Sequence, residues 1–142
     1  MHIPPPTIDL PLPAYIPEDY VPDLNTRLGL YQNLVKMDKL DQIDALTQDF
    51  NDRFGAPPRE VKNLLYAVKI KNLAARAGIE SIATEEGQIV LRLFEGMQFD
   101  RKKLEPLARA GIQIGFNQLH LNPRRLGDKW QVVLEEVVGR VG

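Results

Sequence analysis

The chain has 142 residues, of which 44% are hydrophobic, and this is enough to bury one substantial core. Its 18 basic and 19 acidic side chains leave a formal net charge of -1, which excludes a strong overall field toward nucleic acid or anionic lipid. The absence of cysteine excludes disulfides and thiolate metal sites, and no apolar run approaches the roughly 20 residues that span a bilayer. Because the amino terminus also lacks the pattern of a signal peptide, we expect a cytoplasmic protein.

The first 22 residues are rich in proline and predict an extended segment rather than a helix. Seven of the eleven prolines fall there, and proline fixes φ and lacks the backbone donor that a helix needs. The segment is too apolar for a solvated linker, so we expect it to lie against this domain or a neighbour. Its apolar side chains are Ile8, Leu10, Leu12, Tyr15, Ile16 and Tyr20. We therefore predict a proline-rich extended segment over residues 1–22 and a single α+β domain over residues 23–142.

The first predicted helix follows directly and covers about residues 25–37. Asp23 or Asn25 can cap it, since short polar side chains accept hydrogen bonds from the free amides of a first turn. Its apolar positions recur at spacings of three and four, which is typical of one face of a helix. These positions are Leu24, Leu28, Tyr31 and Val35.

Two further helices are predicted before residue 79. The second begins at the plausible cap Asp38 and ends at Gly55, which suits the left-handed conformation that often terminates a helix. The third begins at the prolines 57–58, which are tolerated in a first turn, and runs for about twenty residues to Gly78. The apolar stripe of the second helix comprises Leu40, Ile43, Leu46 or Thr47, Phe50 and Phe54.

The second half of the chain favours strands. The segments IESIAT and QIVLRLF alternate apolar and polar residues on either side of the turn at residues 85–87, which predicts an antiparallel hairpin. Asp100 can cap a fourth helix that ends at Gly111, and GIQIGFNQLHL is again typical of a strand. We interpret NPRRLGDK as a turn and the final WQVVLEEVVGRV as a strand that passes into a short helix. The expected fold is therefore α+β: a helical first half followed by a small, mainly antiparallel sheet with one or two further helices.

The sequence offers little for catalysis. Nucleophilic catalysis needs a nucleophile, a base and an orienting group, and the candidates are Ser81, which lacks the glycines of a nucleophile elbow, and His120, which lies between two leucines. We interpret both as ordinary strand residues. No phosphate-binding glycine motif and no grouping of metal ligands occurs. The sequence thus predicts no catalytic, cofactor-binding or metal-binding residue, and no cofactor.

Charged clusters suggest binding rather than chemistry. Asp49 and Asp52 are three residues apart, which places both on one side of the second helix, away from its apolar stripe. They form either a solvated face or an acidic docking patch. Short basic clusters occur at Arg101, Lys102 and Lys103, and at Arg124 and Arg125 near Lys129. They are either solvated charge or weak phosphate contacts, since nucleic-acid binding usually uses a wider patch.

Three segments, taken in order and spacing, resemble one known family. They are LPLPAYIPEDYVPDLNTRLGLYQNLVK, NDRFGAPPREVKNLL and AARAGIESI. Together they resemble the carboxy-terminal domain of bacterial transcription-repair coupling factors, the translocases that remove stalled RNA polymerase and recruit excision repair. The likeness is most specific from Ile8 to Ile82. It implies that the motor, its ATP site, its DNA contacts and the polymerase-binding module lie elsewhere in a much longer chain.

The resemblance also implies a regulatory role for this domain. In the family, the domain packs on an amino-terminal module that resembles the excision-repair protein UvrB, and it covers the surface that binds UvrA. An acidic pair before an RFG motif contributes to this interdomain contact, and the matching positions here are Asp49 and Asp52, with aspartate at the first position where the family has glutamate. Of the motif itself, we expect Phe54 to pack in the core and Gly55 to end a helix. The alternative is an accessory DNA-binding domain of the same translocase.

Overall fold

The computed structural model describes residues 3–142. The elements in chain order are β1 (Thr7–Ile8), α1 (Leu24–Lys36), α2 (Leu40–Phe54), α3 (Arg59–Ala77), β2 (Ile79–Glu85), β3 (Gln88–Leu93), α4 (Arg101–Leu104), β4 (Ile112–Ile114), β5 (Gln118–Leu121), α5 (Pro123–Leu126) and α6 (Trp130–Val141). Short 3-10 turns cover Glu105–Leu107 and Gly127–Lys129. The predicted α+β class, with a helical first half and a mainly antiparallel sheet, is confirmed.

The chain divides into two compact units by its internal packing. The helical unit comprises Leu12–Asn72, and the sheet unit comprises Leu73–Gly142 together with the chain up to Pro11. These ranges differ from the division at residue 22, which stays a prediction about domain organisation.

The helical unit is built around a core to which all three helices contribute. Its buried side chains are Ile16, Val21, Leu30, Leu34, Ile43, Leu46, Phe50, Val61 and Leu65. The stripe predicted on α2 is confirmed as its core face, because Ile43, Leu46 and Phe50 are buried. Helix α1 instead buries Leu30 and Leu34. The apolar face counted in its sequence is therefore not its core face.

The first turn of α2 begins one residue later than the predicted cap suggested. Lys39, not Asp38, is the residue before the first helical position Leu40. The side-chain carbonyl of Gln42 accepts from the backbone amides of both Asp38 and Lys39 at 3.1 Å. In the first turn itself the Gln42 amide donates to the Lys39 carbonyl at 3.2 Å, so this turn closes on Lys39 and not on the Asp38 carboxylate. At the other end Gly55 terminates the helix, as predicted, but with φ 88° and ψ -175° it adopts an extended conformation of positive φ and not the predicted left-handed helical one.

The proline-rich segment is divided between the two units. Thr7 and Ile8 pair in parallel with Ser81 and Ile82 of β2 in the sheet unit. Further along, Ile16 is buried in the core of the helical unit, and its amide donates to the Tyr31 hydroxyl at 2.7 Å. Ile8 and Ile16 thus make contacts within this chain, which sequence composition alone left open.

The sheet has five strands in the order β1-β2-β3-β5-β4. The predicted hairpin is confirmed: β2 and β3 pair antiparallel, and Glu86 and Gly87 form its turn with positive φ. The strand-like segment GIQIGFNQLHL forms two antiparallel strands, β4 and β5, with β4 at the sheet edge. One face is covered, as shown by the full burial of Ile82, Leu91 and Leu119.

Three expectations for the last forty residues were wrong. The fourth helix ends at Leu104 and tightens into a 3-10 turn, because Pro106 has no amide to continue the helical ladder. The predicted turn from residue 122 contains α5, whose first amides are capped by the Asn122 side chain, which accepts from Arg124 N at 3.1 Å. The final segment is helical throughout and has no strand: Val133, Leu134, Val137 and Val138 are buried, which is a helical spacing, while Val132 is 60% exposed.

Candidate interaction surfaces

The acidic pair lies in the last turns of α2. Asp52 is exposed and Asp49 is partly exposed, so both carboxylates reach solvent. One oxygen of Asp49 lies 3.2 Å from Arg53 Nη1, and the side chains of this i,i+4 pair are 44% and 48% exposed. Gln48 Nε2 donates to Asp52 Oδ1 at 3.4 Å. An ion pair this exposed contributes little stability, so an incoming cation can replace Arg53 at low cost.

Tyr20 fixes the end of the helix that presents this pair. Its hydroxyl lies 3.1 Å from the carbonyl oxygen of Phe50 and 2.8 Å from that of Gly55, and its single proton is shared between the two. Partial burial raises the pKa of Tyr20, which keeps the hydroxyl protonated and able to donate. Sequence reasoning missed this role; the only signal was an aromatic residue with a polar tip in the proline-rich segment.

An aromatic cluster completes this support. The ring of Phe54 lies 5.7 Å from that of Tyr20 and 6.2 Å from that of Phe50. The guanidinium of Arg53 lies over Phe54, 4.8 Å from the ring centroid. Arg53 therefore contacts both an aromatic face and the Asp49 carboxylate. Phe54 joins the core margin, as the sequence predicts.

The two basic clusters lie near opposite ends of the edge strand β4. Arg101 Nη2 donates to the carbonyl of Ile114, the last residue of β4, at 2.6 Å. Arg125 lies beside Gly111, just before β4, since a Cβ at Gly111 would approach Arg125 Cβ to 3.2 Å. Lys102, Lys103 and Arg124 are exposed. The arrangement offers separated cations along one strand rather than a dense patch.

Ser81 and His120 are not brought together. Ser81 lies on β2 and His120 on β5, and β3 separates the two strands. With strands spaced about 4.8 Å apart, this separation is about 10 Å and excludes a hydrogen bond. His120 instead lies between two amides, with Nδ1 3.3 Å from Gln88 Oε1 and Nε2 3.4 Å from Gln118 Oε1. The residues form no nucleophile–base pair.

The described residues also bear on metal binding and on membrane insertion. Within residues 3–142, no three His, Asp or Glu side chains are grouped so that they could hold a metal ion. In the same described part of the chain, no helix is long and apolar enough to cross a bilayer.

Comparisons with known proteins give one consistent result. The family model of the TRCF domain matches residues 10–104. The transcription-repair-coupling factor of Rickettsia conorii is 33% identical over 100 residues, which cover 70% of this chain and 9% of that protein. The corresponding factor of Bacillus subtilis is 31% identical over 111 residues, covering 76% of this chain and 9% of that protein. The chain thus spans about a tenth of the length of these relatives.

A solved structure shows the same fold. The crystal structure of a C-terminal domain of transcription-repair coupling factor aligns with a TM-score of 0.79 at 18% identity, covering 96% of this chain and 91% of that one. At this level of identity the likeness concerns the fold. Because the family model matches residues 10–104, which is more than half of the chain, the chain belongs to the TRCF domain family of transcription-repair coupling factors.

Proposed function

We propose that this domain is a non-catalytic regulatory module of a transcription-repair coupling factor in transcription-coupled excision repair. In this proposal it docks on the UvrB-like amino-terminal module of the same factor and masks the surface that binds UvrA. ATP hydrolysis, DNA translocation and the contact with RNA polymerase belong to other parts of the longer protein. Two findings support this assignment. The chain belongs to the TRCF domain family, and it covers only 9% of the length of the Rickettsia conorii factor.

The observation that carries the docking role is the acidic pair on an anchored helix. Asp49 and Asp52 are exposed at the end of α2, and Tyr20 holds that end through the carbonyls of Phe50 and Gly55. A rigid support lowers the ordering cost of binding, because the carboxylates do not have to be positioned when a partner arrives. We therefore assign Asp49 and Asp52 to the contact with a cationic surface of the UvrB-like module.

Reversible release follows from the same geometry. Asp52 lies in the last turn of α2, where the helix dipole disfavours a carboxylate by about 0.3–1 kcal/mol, and a cationic partner removes this cost. Because the acidic pair stays accessible to solvent, salt screens its charge, and its contribution to the free energy of docking is modest. A contact of this kind can be broken by a conformational change elsewhere in the factor, as autoinhibition requires.

Titration calorimetry of this domain against the UvrB-like module of the same factor, at moderate salt, tests the proposal. Saturable binding is expected, and Asp49→Ala with Asp52→Ala should weaken it about tenfold or more, since charge pairs across interfaces commonly contribute this much. Asp41→Ala with Asp44→Ala is the matched control, because it removes the same charge at the same spacing from the same helix. Equal affinities of the two double variants, or no binding of the unchanged domain, would reject the assignment.

A second candidate function is accessory DNA binding. The observation that favours it is the placement of Arg101, Lys102 and Lys103 near one end of β4 and of Arg124 and Arg125 near the other. Phosphate contacts of this kind give affinity that falls steeply with salt. Duplex binding at micromolar concentration and physiological salt, lost in Lys102→Ala with Arg125→Ala, would favour this function over docking.

A further inference from the structure

Strand β4 forms one edge of the sheet and turns part of its backbone away from the other strands. Gly111 and Gly115, at its two ends, each form one backbone hydrogen bond toward the β5 side, at 2.7 and 2.8 Å. Hydrogen-bonded pairs alternate along an antiparallel ladder, so the backbone of Gln113 also bonds to β5. The amide and carbonyl groups of Ile112 and Ile114, which lie between these positions, therefore point away from the sheet.

Two of these four outward groups have partners within the chain. Ile112 N donates to Arg109 O at 3.1 Å, and Ile114 O accepts from Arg101 Nη2 at 2.6 Å. Within residues 3–142, the Ile112 carbonyl and the Ile114 amide form no hydrogen bond. One acceptor and one donor are thus available on this edge, on either side of Gln113. An added strand can satisfy both, because its backbone presents N–H and C=O groups in alternation.

The opposite edge of the sheet is less suited to an added strand. It is formed by β1, which has two residues and follows the prolines at positions 4–6. Proline has no backbone donor, so these residues cannot extend a ladder of hydrogen bonds. The edge formed by β4 is therefore the one that fits a further strand.

The chain around β4 is basic, although the protein as a whole is not. Residues 100–129 include β4 and β5 and contain seven basic and three acidic side chains. The whole chain has a formal net charge of -1, so this positive excess is local. It attracts an acidic strand. A second copy of β4 would bring the same excess of cations, and like charges would oppose its pairing.

Arg125 is placed to contact one side chain of an added strand. It is exposed, and it lines a cavity together with Gln113 and His120. Arg125 therefore lies on the face of the sheet to which the Gln113 side chain points. The residue of an added strand that pairs with Gln113 directs its side chain to the same face, because directly paired residues share a face. A carboxylate at that position lies on the side of Arg125.

An exposed aromatic ring lies at the other end of the strand. Phe116 follows β4 in the turn to β5, and its side chain is 70% exposed. The Phe116 carbonyl accepts from Phe99 N at 3.0 Å, which holds this turn beside the segment that leads into α4. Arg101 contacts Ile114 at the same end. A segment that runs along β4 can cover the ring and gain apolar contact in addition to charge.

We propose that the edge of β4 binds an extended acidic peptide segment of another protein, which adds to the sheet as a further strand. The main chain of the segment bonds to the Ile112 carbonyl and the Ile114 amide, and its carboxylates face the surrounding cations. The phosphate backbone of DNA fits this edge less well. Phosphate oxygens only accept hydrogen bonds, so they leave the Ile112 carbonyl unpaired.

This surface belongs to the sheet unit, whereas the acidic pair belongs to α2 in the helical unit. The partner chemistry also differs, since the acidic pair fits a cation and the edge of β4 fits an acidic strand. Failure of one proposal therefore leaves the other untouched.

Fluorescence anisotropy of the full 142-residue chain with a short labelled peptide, in which glutamate alternates with threonine and valine, tests the proposal. We expect saturable binding with a dissociation constant on the order of 100 µM. The same peptide with N-methylated amides keeps its charge but loses its backbone donors, and it should bind about tenfold more weakly. Equal binding of the two peptides, or no binding of either, would overturn the proposal. Duplex DNA that bound while the peptide did not would support accessory DNA binding instead.

A charge reversal tests where the peptide binds. Arg125→Glu should weaken binding of the unmethylated peptide about fivefold or more, because it places a like charge beside the peptide carboxylates. Arg76→Glu is the matched control, since Arg76 is also exposed and lies just before β2, which is three strands from β4. Unchanged circular dichroism would show that both variants fold. Equal weakening by both would mean that the peptide responds only to overall charge, and it would overturn the assignment to β4.

Hydrogen exchange measured by NMR tests the backbone contact directly. Saturation with the unmethylated peptide should slow exchange of the Ile114 amide about tenfold or more, because this amide gains a partner. The Gln113 amide is the internal control, since it already bonds to β5 and should change less. An unchanged rate at Ile114 in the presence of bound peptide would overturn the proposed strand addition.

Discussion

Helices α1 and α2 of the helical unit have similar apolar patterns and opposite outcomes. The stripe of α2 is the core face, with Phe50 fully buried. The α1 stripe, which comprises Leu24, Leu28, Tyr31 and Val35, is instead largely exposed, with Val35 at 75%. Both stripes have spacings of three and four residues. Periodicity therefore shows that apolar residues lie on one face of a helix, but it does not show what that face contacts. Within residues 3–142, α1 buries Leu30 and Leu34 and leaves most of its other apolar face accessible to solvent.

The largest expected difference in the free energy of unfolding is between Phe50→Ala and Val35→Ala. Phe50 is fully buried and belongs to the core, so its truncation should lower the free energy of unfolding by about 3–5 kcal/mol. Val35 should lose no more than about 0.5 kcal/mol, because its truncation leaves no cavity. Urea unfolding measures both losses. Similar losses would mean that the side chain of Val35 is buried in the folded chain.

A smaller effect is expected for Tyr20→Phe, which keeps the ring and removes the hydroxyl. The carbonyls of Phe50 and Gly55 would lose their shared donor, and the free energy of unfolding should fall by about 1 kcal/mol. Tyr15→Phe is the control, since the Tyr15 side chain is 48% exposed. If α2 is held as proposed, Tyr20→Phe should also weaken docking while Tyr15→Phe should not. Equal stabilities of the two variants would show that the Tyr20 hydroxyl does not hold the end of α2.

The smallest effect concerns the amino end of α1 and depends on pH. The bonds from Thr26 lower the folded pKa of Asp23 below its unfolded value of about 3.9, so ionised Asp23 stabilises the folded state. This stabilisation is complete above the unfolded pKa and disappears as the pH falls through the lowered folded value. Asp23→Asn, which can still cap, should therefore flatten the decline of thermal stability below about pH 4. An unchanged decline would show that other carboxylates determine it.

Much of the fold follows from local sequence. The first helix was predicted at 25–37 and spans Leu24–Lys36, and the third was predicted to end at Gly78 and ends at Ala77. These boundaries are set by caps, prolines and glycines, which act over a few residues. The hairpin of β2 and β3 is local in the same sense, since its turn joins adjacent strands.

The wrong or missing predictions concern segments whose structure depends on contacts with residues distant in the sequence. The residues from Trp130 onward fit both a strand and a helix, and burial of Val133, Leu134, Val137 and Val138 selects the helix. Strand β1 is short and follows three prolines, and it exists because Thr7 and Ile8 find free backbone groups on β2 more than seventy residues away. No local pattern contains that partner.

The candidate site divides in the same way. The sequence by itself determined the acidic pair and the motifs of the TRCF domain family, because residue types and short spacings are sufficient for these. Only the tertiary structure decided that Tyr20 anchors α2, that Arg53 contacts Asp49, and that the stripe of α1 faces solvent. The physical reason is that hydrogen-bond partners and burial depend on which surfaces the folded chain brings together, and the linear spacing of residues does not fix those neighbours.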